Sequence, residues 1–174
     1  MLAVIGCADI RCGWNHGGVD LVLPRGATGF LSDGLVPLSH DERRLMIGLV
    51  HDAARKAGCS ALAIDRTSVE SFHSFAINPR SQSPTCWVLL HRVIRVVAVV
   101  DRDPGTTIPI APHVVDSLLD PDRVGEVGWR VLSREEAARS LSPSSLAELA
   151  KSEVEQVRHW KPATLGEVLF NYWD

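Results

Sequence analysis

Lysine is scarce in this chain. Only Lys56, Lys151 and Lys161 occur among its 18 basic residues, against 21 Asp and Glu, and the formal net charge is −3. The other basic residues are arginines scattered along the sequence. They build no basic stripe of the kind that grips a phosphate backbone, which argues against a nucleic-acid binder. No apolar run approaches the roughly 18 residues of a membrane helix, which argues against a membrane span. The four cysteines, Cys7, Cys12, Cys59 and Cys86, form no CxxC pair, so neither a disulfide framework nor a structural zinc pattern is indicated. Met1 leads straight into Leu2-Ala3-Val4-Ile5, with no basic n-region and no small-residue cleavage site. Reduced thiols and a cytoplasmic location are therefore expected. P-loop, GxGxxG, GxSxG and HExxH patterns are all missing, which lowers the expectation of an enzyme. No cofactor and no metal is expected.

What is present describes an α+β fold. At 174 residues with 45% hydrophobic content, the chain reads as a single domain over 1–174 that can bury a core without metal or disulfide. A mixed, largely antiparallel sheet is expected, with an N-terminal hairpin, one central amphipathic helix and a C-terminal helical segment. The hairpin rests on Trp14-Asn15-His16-Gly17-Gly18 followed by the alternating Val19 to Leu23. A third short strand is read between Arg25 and Asp33. Ser39-His40-Asp41-Glu42 is a capping box, opening a helix that Gly58 stops and that carries Met46, Leu49, Val50, Ala53 and Ala57 on its inner face.

Ala61–Ile64 reads as a short buried strand and Ser71–Ile77 as another, and Asn78–Pro84 is a loop by composition. Trp87 to Val100 is the longest β signal, interrupted only at His91, Arg92 and Arg95. Its second half is apolar on both faces, as in the middle of a covered sheet. Further on, a short helix is read from Pro112 to Leu119 and a strand over Trp129–Leu132. Ser133 with Glu136 and Thr164 with Glu167 are two more capping boxes. Ser142-Pro143 opens a helix expected to run to Trp160.

Five residues of the last seven, Val168, Leu169, Phe170, Tyr172 and Trp173, are large and apolar. Termini are usually polar and frayed. Burial of each such side chain contributes about 1.5–3 kcal/mol, so this segment is expected to dock, on its own chain or on a partner.

The chemistry-bearing residues are few. His73, His91 and Asp101 are the candidate catalytic groups, and with Arg95 they are the makings of a pocket for an anionic ligand. Cys7, Cys12, Asp9 and His16 match no zinc spacing. Asp101 and Asp103 fit turn chemistry better than Mg²⁺ ligation. Five tryptophans, at 14, 87, 129, 160 and 173, suggest interface anchors. Trp14 beside the hairpin tip, Arg80 in the 78–85 loop and Arg95 are the candidate binding residues. Trp160 and Trp173 are expected to wedge the terminal helix onto the body.

The ending Trp160-Lys161-Pro162, Leu165-Gly166-Glu167 and Phe170 to Asp174 resembles that of small bacterial proteins, some of them similar to toxin-immunity proteins. The likeness covers about fifteen residues and carries no catalytic residue. With the acidic balance and the surplus of Trp, it implies a non-catalytic protein-binding module of the immunity type, one that neutralises an effector or toxin. Its expected partner is another protein, with a homodimer through the aromatic terminus as a further possibility. A small enzyme or anionic-ligand binder using the His/Arg/Asp pocket is the alternative.

Overall fold

A computed structural model of the chain describes residues 21–31, 34–64, 70–79, 83–105 and 111–173. Five strands form one sheet in the order β1-β2-β3-β4-β5: Cys59–Ile64, Phe72–Pro79, Cys86–His91, Val96–Val100 and Arg130–Val131. The first four pair antiparallel as successive hairpins, and β5 joins β4 in parallel. This is the mixed, largely antiparallel α+β sheet expected. The N-terminal hairpin falls outside the described residues, apart from Leu21–Leu23, which are not in a strand.

The Trp87–Val100 signal resolves into two strands, because residues 92–95 make a tight reversal. His91 shapes that reversal. Its Nδ1 accepts from the amides of Val93 and Ile94, both at 3.1 Å. Val96 to Val100 is buried at every position. Alternation sends Val96, Ala98 and Val100 into one core cluster and Val97 and Val99 into the other, so both faces of β4 are covered.

One face is packed by α1 (His40–Lys56) and α2 (Pro121–Glu126), through Met46, Val50, Ala54 and Val124 against Phe75, Ile77, Val88 and Leu90. The Ser39–Glu42 capping box forms in full. Ala54 rather than Ala53 or Ala57 completes the buried stripe of α1. The opposite face is packed by α3 (Arg134–Ala137), α4 (Lys151–Trp160) and α5 (Leu165–Leu169), through Ala137, Val157, Leu165, Val168 and Leu169. Phe170 is buried beneath them, with edge-to-face contacts to Phe72 and His91.

Several expectations are corrected. Residues 25–28 form a turn instead of a third strand. The strand β1 lies at the sheet edge and is half exposed, where a buried strand was expected. Pro112–Leu119 is not an α-helix. It holds a single 3₁₀ turn and an isolated bridge from Val114 to Val100, and the helix comes later, opened by the Asp120 cap before Pro121. The long helix from Ser142 is broken: a 3₁₀ turn at Ser144–Leu146 precedes α4, which begins at Lys151. At Thr164 the hydroxyl accepts from the Glu167 amide, but the Glu167 carboxylate turns to the Ala163 amide, so the third capping box is half formed.

Candidate functional site

The break before α4 places Glu153 inside the protein. Its side chain is fully buried, and its carboxylate accepts from the Gly26 amide, the Thr28 amide, the Thr28 hydroxyl at 2.8 Å and the Ala150 amide. A buried carboxylate is tolerable only when so surrounded by donors. The result pins residues 26–28 to the start of α4. Gly26 and Gly29 both have positive φ, and a Cβ at Gly29 would stand 2.5 Å from Ser71 Cβ. Only glycine permits the chain to pass that close.

The C-terminal strap is fastened to the same place. The Ser71 hydroxyl donates to the Leu169 carbonyl at 2.9 Å, and the Asn171 amide donates to that hydroxyl at 2.9 Å. The Asn171 side-chain amide donates to the carbonyls of Thr28 and Val168, and its Oδ1 accepts from the Trp173 amide. Buried polar networks satisfied in this way hold one geometry.

Above this floor opens a cleft of about 270 Å³, lined by Thr28, Gly29, Phe30, Leu31, Glu70, Ser71, Arg92, Gln156, Asn171 and Trp173. The indole of Trp173, part of that lining, is stacked with that of Trp160, 5° from parallel with centroids 6.5 Å apart. Trp160 Nε1 donates to Gln156 Oε1 at 3.1 Å. The αL conformation of Lys161, at φ 52°, ends α4 just beyond Trp160. Trp160 is 43% exposed and Leu31 48%, and both border the cleft or touch its lining. Arg92 extends along it with one guanidinium nitrogen donating to the Glu70 carbonyl at 3.0 Å.

Comparison with protein-family models, curated proteins and solved structures finds no match.

The residues singled out from the sequence are placed apart. Trp14 and Arg80 lie outside the described residues. His91 is buried, with Nδ1 accepting from two amides and Nε2 facing the Ala27 carbonyl at 3.0 Å. That pattern fixes the neutral Nε2–H tautomer, and burial holds the ring's pKa down at about 3. His91 is thus committed to structure. His73 pairs in register with Leu90, and the strand alternation turns it to the face opposite His91. Arg95 and Asp101 stand at the two ends of β4, roughly 20 Å apart at strand rise. Arg95 reaches Glu42 at 3.5 Å, and Asp101 meets His113 Nδ1 at 3.1 Å. The expected His/Arg/Asp pocket is therefore not assembled. Among the described residues no cluster of His, Cys, Asp or Glu could hold a metal ion, and no helix is long and apolar enough to cross a membrane.

The sequence carried one signal for the real floor of the cleft. Glu153 falls four residues before Val157, so a carboxylate sits on the apolar stripe of α4. A second cleft of about 340 Å³ lies between α1 and α2, lined by Leu49, Ala53, Leu118 and Val124 with Lys56 and Arg123 at its edge. It has no aromatic anchor and no buried polar support.

Proposed function

We propose that this chain is a non-catalytic protein-binding module whose contact surface is the cleft edged by Trp160, Trp173 and Leu31. The observation that carries this reading is the half-exposed Trp160, stacked on Trp173 and mounted on a rigid buried network. Tryptophan side chains set in well-supported sites dominate binding energies at interfaces. The cleft volume of about 270 Å³ falls below the 300–1,000 Å³ typical of small-molecule sites. It suits one or two inserted side chains of a partner better than a metabolite.

Neutralisation of an effector or toxin is the narrower form of this proposal and is supported by the likeness of the C-terminal ending. A cytoplasmic setting is supported by Cys59 and Cys86, both free thiols. They lie on the strands flanking β2, opposite Pro79 and Ile77, so two strand spacings and a two-residue offset set them about 12 Å apart, beyond disulfide reach.

The test is affinity capture with the purified chain as bait, followed by titration of the captured protein and, in parallel, of the product of each neighbouring gene. Trp160→Ala should weaken the complex by a factor of about 30 or more, as loss of a 2 kcal/mol anchor requires. Its unfolding midpoint should stay close to that of the parent. Equal affinity of parent and variant for every captured protein would refute the proposal.

A further inference from the structure

The strand β1 pairs with β2 through six consecutive residues, Cys59↔Pro79 to Ile64↔Ser74, without a bulge. It is the first strand of the sheet, and among the described residues nothing pairs with its outer side. Edges of this kind are normally blunted by a charge, a proline, a bulge or great shortness. The segment Cys-Ser-Ala-Leu-Ala-Ile has no charge and no proline, and it spans about 20 Å. Leu62, at its middle, is 56% exposed. We propose that two copies of the chain join through β1, as an antiparallel pair about a two-fold axis that runs both sheets into one of ten strands.

A second copy is the occupant that charge and geometry favour. The chain has a net charge of −3, so two copies repel weakly at long range. An uncharged strand adds no local charge repulsion to that when it meets its own copy. An antiparallel two-fold join of two identical sheets has its axis perpendicular to them and keeps each face on its own side. Residues directly opposite must then share a face, so their numbers sum to an even value. The join centred on Leu62 meets this condition. It sets Leu62 against Leu62, Ala61 against Ala63 and Ser60 against Ile64. Small residues flank the centre, the backbones can approach to ladder distance, and the two exposed leucines cover each other. Such an interface uses the same patch on both subunits and closes as a dimer.

Sedimentation velocity on the full chain up to about 100 µM, a concentration that populates a dimer of micromolar affinity, tests the proposal. The parent should shift from monomer to dimer with concentration. Leu62→Lys places two cations face to face at the axis and should leave a monomer, while Trp160→Ala should dimerise as the parent does. A cross-link provides a second measurement. Opposed residues of an antiparallel pair have Cα atoms about 4.5 or 5.5 Å apart, within disulfide range. Mild oxidation of Leu62→Cys should give a covalent dimer that reductant dissolves, with none from the parent. A parent that stays monomeric throughout, as it would if another part of the chain covered β1, overturns the proposal. So does a dimer that survives Leu62→Lys, or a Leu62→Cys variant that does not cross-link.

Discussion

Acid should destabilise this protein through His91, and the size of the effect follows from its surroundings. The ring is fully buried, its Nδ1 is occupied by the Val93 and Ile94 amides and its Nε2 by the Ala27 carbonyl. Burial depresses its pKa to about 3, with the nearby Arg92 pushing the same way and the Ala27 carbonyl opposing. In the unfolded chain the ring titrates at its ordinary value of about 6.5. Between those values the unfolded state binds a proton that the native state refuses, so stability rises with pH across the window and is lost as pH falls from about 6.5 toward 3. Each pH unit well below 6.5 removes about 1.4 kcal/mol, and the loss from pH 7 to pH 4.5 is about 2.5 kcal/mol. The control is His91→Asn, whose Oδ1 can replace Nδ1 as acceptor for the reversal. It leaves the buried Ala27 carbonyl without a donor and loosens the contact with Phe170, so it should be less stable at pH 7 by about 2–4 kcal/mol. It has no proton to gain in this window. Urea denaturation of both proteins at pH 7 and pH 4.5 cancels the titration of every other group. The stability gap between them should narrow by about 2.5 kcal/mol at the lower pH. A gap that stays constant would show that the ring is not held neutral as described.

The remaining predictions concern the elements that build the cleft. Glu153→Ala strips the Gly26, Thr28 and Ala150 amides of their buried acceptor at about 1–3 kcal/mol each. Removal of a desolvated carboxylate offsets part of this, and chemical denaturation should show a net loss of about 3–5 kcal/mol. No loss, or a gain, would mean that the clamp is not holding residues 26–28. Truncation after Lys161 deletes the buried Leu165, Val168, Leu169 and Phe170. At about 1.5–3 kcal/mol each these amount to about 6–12 kcal/mol, as much as a whole domain's stability. Circular dichroism should show an unfolded chain. A folded, monomeric truncation product would instead make the aromatic terminus a docking segment for another subunit.

The elements legible in the sequence are those whose signals are local. The Ser39–Glu42 box and Gly58 bracket α1 because a capping box is decided within four residues and a left-handed stop within one. The Val96–Val100 run reads as a covered strand because a strand buried on both faces needs no alternation. What failed was decided at a distance. Ser142-Pro143 has the chemistry of a helix start, yet the turn it opens closes after three residues. There the Leu23 amide donates to the Ser145 carbonyl, and Glu153 is drawn to the Gly26–Thr28 turn more than 120 residues away. Likewise His91, Arg92 and Arg95 look like polar interruptions of one strand, whereas they make the reversal between two.

The cleft was hidden for the same reason, although its parts were visible. A surplus of tryptophan and an apolar ending both point to an anchored surface, but composition does not say which rings meet. Trp160 and Trp173 do so because Lys161 adopts the left-handed conformation, Thr164 caps α5, and Asn171 ties the strap to Thr28 and Val168. Phe170 then points into the core, and the chain beyond it returns to α4. The terminal aromatics thus divide their labour by burial. Phe170 is spent on the core, Tyr172 packs on Phe72, and Trp173 lies half covered beside the exposed Trp160. The amide of Trp173 donates to Asn171 Oδ1, which holds its ring half covered against the cleft, the placement that the proposed contact surface needs.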